Sequence, residues 1–358
     1  MISNDKLNIY TRVYMKERGD DMESEGYRRV TRKDVAERAG VSPTIVSYVV
    51  NNNRYVDQEK RARVLQAIEE LNYQPNAIAK SLKSKKSNHI AFIADEIENE
   101  HFGRIVREME SYAYQKGYLI SLCNSRNEET YITQMISRQF DGVIISSNHL
   151  SEELIYRFPK AGIPTILFGN RIFRQRHPEI TLINIDLYTG AVEAVQALID
   201  KGYKKILFIS ELNYANTSGW EQDLRFKGYK DTLIKNQLPF QSEYIIKNCI
   251  NYEEVHEQCT KAFMSQEPPD AVFAHEDRLA IVAMSAAKQL KLEIPKDIAI
   301  IGFDNSTISA FTTPTLSTVE IPRHEVGKKA IELLYKKIQG KRISDVSFST
   351  CLIERQSM

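Results

Sequence analysis

The sequence predicts an α/β protein, with a small all-helical head in front of a larger body built on parallel sheets. Three observations predict it. Residues 27–87 carry thirteen Lys or Arg and six acids, net +7, while the chain from residue 88 onward is net −4. Between Thr31 and Tyr73 apolar residues recur at helical spacing between capping signals. From His89 onward short β-branched runs alternate with helical stretches, the order that builds parallel sheets. At 358 residues the chain is long enough for two or three domains, and 42% apolar with 27% charged residues is the composition of a globular protein.

Residues 1–26 are polar and aperiodic and read as a disordered arm, in which Met22 is a candidate alternative start. Residues 27–74 form the head. Thr31 is placed to cap a first helix, with Asp34 at the third position of a capping box and Val35, Ala36 and Ala39 as its apolar stripe. Gly40 ends it. Ser42 caps a second helix, Pro43 takes its first position, and Ile45, Val46 and Val49 form the buried face. A third helix starts near Asp57 and runs through Val64, Leu65, Ile68 and Leu71 to Asn72-Tyr73. Two short helices across a tight turn, in a segment this basic, point to a helix-turn-helix that sets Pro43, Thr44, Ser47 and Tyr48 against base edges in a major groove.

Residues 75–87 follow as a short helical stretch, Asn76 to Leu82, and a basic linker. In the body, strands are expected at 89–95, 118–124, 141–147, 164–169, 181–186, 205–210, 270–275 and 297–304. Eight strands over this length suit either one barrel or two open doubly wound sheets. No GxG pair occurs among the 15 glycines, and GxSxG and HExxH are absent, so dinucleotide, phosphate-loop and hydrolase chemistries lose their usual support. The cysteines (Cys123, Cys249, Cys259, Cys351) form no CxxC, and His256 with Cys259 is an isolated pair on a helix face, so no metal site, cofactor or disulfide framework is expected. No apolar run reaches the roughly 18 residues of a membrane span, and the amino terminus lacks a secretory apolar stretch; a cytoplasmic protein is expected.

The run Val30-Thr31-Arg32-Lys33-Asp34-Val35-Ala36-Glu37-Arg38-Ala39-Gly40-Val41-Ser42, followed by Val46-Ser47 and Val49-Val50-Asn51, resembles the headpiece of the lactose-repressor family. Asn72-Tyr73-Gln74-Pro75-Asn76 with Ala79 and Leu82 resembles that family's hinge helix. Ile301-Gly302-Phe303-Asp304-Asn305 and Pro314-Thr315-Leu316-Ser317-Thr318 resemble its carboxy-terminal half. The resemblance extends from about Tyr27 to the end. It implies two periplasmic-binding-protein-like subdomains within residues 88–358, about 88–186 with 320–345 and 187–319 with 346–358, crossing near Asp186, Val319 and Val346.

The family's roles carry over residue by residue. Thr31, Ser42, Pro43, Thr44, Ser47, Tyr48 and Asn51 would contact DNA; Tyr48 stands where many relatives have Arg or His, which removes the usual two-point guanine contact at that position. Asn76, Ala79 and Leu82 would form the hinge, with Leu82 wedged into the minor groove. Phe102, Asn170, Asp186, Trp220, Arg225 and Asp277 would hold the effector, since an aromatic face with a carboxylate and an arginine suits sugar hydroxyls, and parallel sheets bind ligands beyond the carboxyl ends of their strands. Glu100 and His101 replace the Pro and Phe of sugar-responsive relatives. The expectation is a repressor that binds double-stranded operator DNA as a homodimer and senses a carbohydrate, not an enzyme. The alternative is a catabolite regulator controlled by a phosphorylated carrier protein.

Overall fold

Side-chain caps set the helix starts of the head in the computed structural model, which describes residues 29–75, 86–95, 97, 99–169, 171–174, 177–213 and 220–358. Helix α1, Arg32–Ala39, opens on Thr31, whose Oγ1 accepts from the Asp34 amide at 3.3 Å while Asp34 Oδ2 accepts from the Thr31 amide at 2.7 Å. Gly40 closes it at φ +64°, a left-handed conformation that glycine adopts without strain. Helix α2, Pro43–Asn51, is capped by Ser42 Oγ and ends at Asn52. Helix α3, Gln58–Glu70, is capped by Asp57, which accepts from the Glu59 and Lys60 amides. Val35, Ala36, Ala39, Val46, Val49, Val56, Val64, Ala67 and Tyr73 form the core of the head. The third helix stops at Glu70, short of the expected Tyr73, and Leu65 is 51% exposed because the inward stripe runs through Val64, Ala67 and Ile68.

Among the described residues, the head and the body are separate compact units. The body holds two open parallel sheets, so the barrel alternative falls. The first contains β1 (His89–Ala94), β2 (Leu119–Asn124), β3 (Gly142–Ser146), β4 (Thr165–Gly169), β5 (Ile180–Ile185) and β11 (Val346–Phe348), in the order β11-β5-β4-β3-β1-β2. The second contains β6 (Ile206–Ile209), β7 (Ile245–Ile246), β8 (Ala271–Ala274) and β9 (Ala299–Ile301), in the order β7-β6-β8-β9. The near-continuous apolar runs of β1, β3, β4, β6 and β8 are buried, as strands covered on both faces must be. An antiparallel ribbon, β10 (Thr318–Glu320) with β12 (Cys351–Ile353), adds a third element.

Helices cover these sheets. On the first lobe α4 (Glu100–Gln115) packs against α12 (Arg323–Ile338). On the second, α8 (Leu187–Asp200) packs against α9 (Leu224–Lys235), and α10 (Tyr252–Phe263) against α11 (Asp277–Gln289). The α8–α9 approach depends on Gly228, where an added Cβ would stand 2.7 Å from the Tyr188 carbonyl oxygen and 2.8 Å from Ala191 Cβ. Among the described residues no helix is long and apolar enough to cross a membrane.

The chain passes between the lobes three times: at Asp186 after β5, between β10 and α12, and at 349–350 between β11 and β12. The last passage corrects the expected boundary at 345/346, because β11 pairs in parallel with β5, Val346 opposite Ile183 and Phe348 opposite Ile185. Residues 346–348 therefore belong to the first sheet. Strands β7, β10, β11 and β12, of two or three residues each, are too short for alternation to reveal.

Candidate DNA surface and effector cleft

On α2 the side chains expected to read DNA lie near the start of the helix and along its outer face. Pro43 and Thr44 are exposed, Ser47 and Tyr48 half-buried, and Asn51 exposed. Thr31 and Ser42 are exposed caps. The Asn51 amide nitrogen donates to Ser47 O at 2.8 Å and Ser47 Oγ at 3.1 Å. The Tyr48 hydroxyl accepts from Arg54 Nη1 at 3.4 Å, and the Arg54 guanidinium carbon stands 5.2 Å from the Tyr48 ring centre. The hinge residues Asn76, Ala79 and Leu82 lie outside the described residues.

In the body a cavity opens between the lobes at the carboxyl ends of the strands. Phe102 and Phe168 supply apolar faces, and Arg225 lines the wall. The Arg225 guanidinium is paired at two points with Asp223, Nε to Oδ1 at 3.1 Å and Nη2 to Oδ2 at 2.9 Å, and gives a third bond to the His275 carbonyl at 3.2 Å. His275 Nε2 lies 3.2 Å from the same Asp223 Oδ2 and 3.7 Å from Glu211 Oε2. Burial opposes the charge on Asp223, but Arg225 and His275 outweigh it and hold this carboxyl well below the usual range. Burial and Arg225 oppose the charge on His275, yet the acids raise its pKa. His101, buried and beside Arg323, is pushed well below the ordinary histidine range, which fits its Nδ1 accepting from Arg323 Nε at 3.2 Å.

Bonds between the lobes frame this cavity. Asn99 Nδ2 donates to Glu276 Oε2 at 2.8 Å, Asn148 Nδ2 to Glu211 Oε2 at 2.9 Å, and the Thr307 amide to Glu100 Oε1 at 3.0 Å. Two buried polar atoms of lining residues, Asn148 Oδ1 and His275 Nδ1, have no partner among the described residues. Glu211, Asp223 and His275 bring three metal-type ligand atoms within 4.8 Å, but Asp223 is already committed to Arg225. His256 and Cys259 form no such cluster among the described residues.

Of the residues expected to hold the effector, Phe102 and Arg225 meet in this cavity, and Asn170 lies outside the described residues. Trp220 sits edge-on to Phe226, ring centres 4.6 Å apart, and lines a smaller void that shares His149, Glu211 and Leu212 with the main one. Asp186 instead caps α8, accepting from the Thr189 amide at 3.1 Å, and is not among the lining residues. Asp277 is not among the lining residues either. Its carboxyl is 1% exposed and accepts from the Ser306 amide at 2.6 Å, Ser306 Oγ at 2.8 Å and Thr318 Oγ1 at 2.5 Å, which staples the loop after β9 to β10 behind the cavity wall. Burial pushes that carboxyl up to about 7. The cleft gains Asn148, Glu211, His275 and Asp304, which the sequence reading left out of its effector set. Each follows the end of a strand by one to three positions, so strand ends alone could have flagged them.

Known proteins share this architecture. Residues 31–76 match the family described as "Bacterial regulatory proteins, lacI family", and residues 195–358 match "Periplasmic binding protein-like domain". The chain is 34% identical over 323 residues to catabolite control protein A of Priestia megaterium, covering 88% of this chain and 94% of that one. It is 32% identical over 336 residues to the HTH-type transcriptional repressor PurR of Pectobacterium carotovorum, covering 92% and 96%. A solved lac repressor dimer, bound to operator and the anti-inducer ONPF, shares the fold at a TM-score of 0.78 and 24% identity, covering 92% of this chain and 99% of that one.

Proposed function

The chain belongs to the lacI family of bacterial regulatory proteins as a DNA-binding transcriptional repressor, and from that premise we propose that a small sugar or related metabolite, bound between the lobes of a homodimer, sets its affinity for operator DNA. Thr44, Ser47 and Tyr48 read the major groove, and the segment from Asn76 to Leu82 couples body to operator, as the family resemblance implies. One observation carries the choice of effector. The cleft buries an unsatisfied acceptor, Asn148 Oδ1, together with an unpartnered ring nitrogen, Nδ1 of His275, whose Nε2 is already held against Asp223. A sugar hydroxyl both gives and takes a hydrogen bond, so a polyol satisfies both atoms where an apolar ligand leaves them bare.

Melting of the full chain with a panel of neutral sugars and sugar phosphates tests this reading. A true effector at a hundred times its Kd stabilises by about 2.7 kcal/mol, and the same compound should change operator affinity. A panel in which no compound shifts melting or operator binding removes the sugar reading.

A second reading, docking of a phosphorylated carrier protein, draws on a different place. A groove between α4 and α12 is lined by Tyr112, Lys116, Lys328, Tyr335, Lys336 and Lys341, with Glu332 as the acid there. Operator binding that responds to such a carrier and to no sugar would favour it.

A further inference from the structure

Helix α2 contains no Lys or Arg from Pro43 to Asn51. Guanine recognition in the major groove most often uses a bidentate Arg or Lys, because O6 and N7 are two acceptors side by side. In this head a guanidinium reaches α2 from outside it. Arg54, in the loop after the helix, lies over the Tyr48 ring at 5.2 Å and gives Nη1 to the Tyr48 hydroxyl at 3.4 Å. Among the described residues no carboxylate pairs with Arg54, which is exposed. The loop that carries it is fixed at both ends. Arg61 Nη2 donates to Asn52 Oδ1 at 2.7 Å at the start, and Val56 is buried in the core at the finish.

We infer that Arg54, held on Tyr48, is a specificity-determining residue that reads a guanine edge, and that Tyr48 is its positioning platform. The inference rests on α2 being the helix that enters the groove. Stacking on one aromatic face and a bond to its hydroxyl restrict the guanidinium before DNA arrives, so less side-chain freedom is lost when two parallel bonds to guanine form. The remaining N–H groups of the fork stay available. Without such a cation, Thr44, Ser47 and Tyr48 offer only hydroxyls to the base edges.

The test is selection of binding sites by the full chain from a randomised duplex pool, run on the parent, Arg54→Ala, Arg54→Lys and Tyr48→Phe. The parent is expected to select a motif with a guanine in each half-site. Arg54→Ala should become indifferent at that one position while keeping the others, and bind the parent's motif about tenfold or more weaker with little change on scrambled DNA. Arg54→Lys keeps the charge and loses the fork, and should show an intermediate preference; Tyr48→Phe keeps the stacking face and should lose only a few-fold. An unchanged motif from Arg54→Ala overturns the inference. So does an equal loss on motif and scrambled DNA with a salt dependence lower by about one phosphate, which would make Arg54 a backbone contact. Enrichment of no motif by the parent would instead remove the groove-facing role of α2 itself.

Discussion

On α2 the polar side chains stand in or near solvent and bond within a few residues, as Asn51 does to Ser47. In the cleft, Asp223, Arg225 and His275 are 2%, 7% and 8% exposed, and His275 reaches Asp223 from 52 positions away. The difference sets what a substitution costs. An exposed group on α2 returns to water when its partner goes, so its removal is felt when DNA binds and scarcely in folding. A buried group in the cleft has no water to return to. Loss of one member leaves its partners buried and bare.

The contrast is sharpest at Asp223→Asn. Arg225 and His275 would then lack their carboxylate in a site where both are over nine-tenths buried, and a loss of about 3–5 kcal/mol in denaturant-measured stability is expected. Pairing it with Arg225→Met should recover part of that loss. A single-variant cost below about 1 kcal/mol, the range of exposed pairs, would erase the distinction between the two regions.

A second test uses pH. Asp277 titrates near pH 7 in the folded state, against about 3.9 for a free aspartate, so the folded form holds this proton more tightly than the unfolded chain. Its contribution is complete below about pH 4 and declines as the pH rises towards 7. Asp277→Asn should flatten that decline in thermal or denaturant titrations. Some slope should persist, because burial raises Asp304 in the same sense. A slope identical to the parent's would show that Asp277 ionises normally.

The smallest effect belongs to the head. Thr31→Ala removes one half of a reciprocal cap on an exposed helix end and should cost about 1 kcal/mol. Hydrogen exchange should place the loss in α1 and leave the cleft amides unchanged. A change that spreads into β6 or β8 would mean that the two regions are coupled.

Legibility in the sequence followed the same division. Thr31 with Asp34, Gly40, and Ser42 with Pro43 are signals contained within four residues, and each gave the local structure observed. The longer body strands were legible from their apolar runs. The cleft was harder, because Asn99 and Glu276 bond across 177 positions, and no local pattern encodes that meeting. Glu276 and Asp277 show the limit: they are adjacent after the same strand, yet one lines the cavity and the other turns behind it to Ser306 and Thr318. Only the bonds of Asp277 to Ser306 and Thr318, made far along the chain, decide which of the two carboxylates faces the cavity. Arg54 escaped notice for a related reason, since its significance comes from the ring it lies on.

The three chain passages between the lobes also bear on how such a molecule can be rebuilt, by evolution or at the bench. A lobe closed by β11 at residues 346–348 and opened by β1 at residue 89 is not a contiguous stretch of gene. One crossover between related genes cannot transplant it whole. A chimaera joined at Asp186 alone would inherit β5 from one parent and its partner β11 from the other, with mismatched side chains along the shared edge. The cavity lining is therefore more accessible to change through single substitutions at strand ends, such as Asn148, Glu211 and His275, than through trading of lobes.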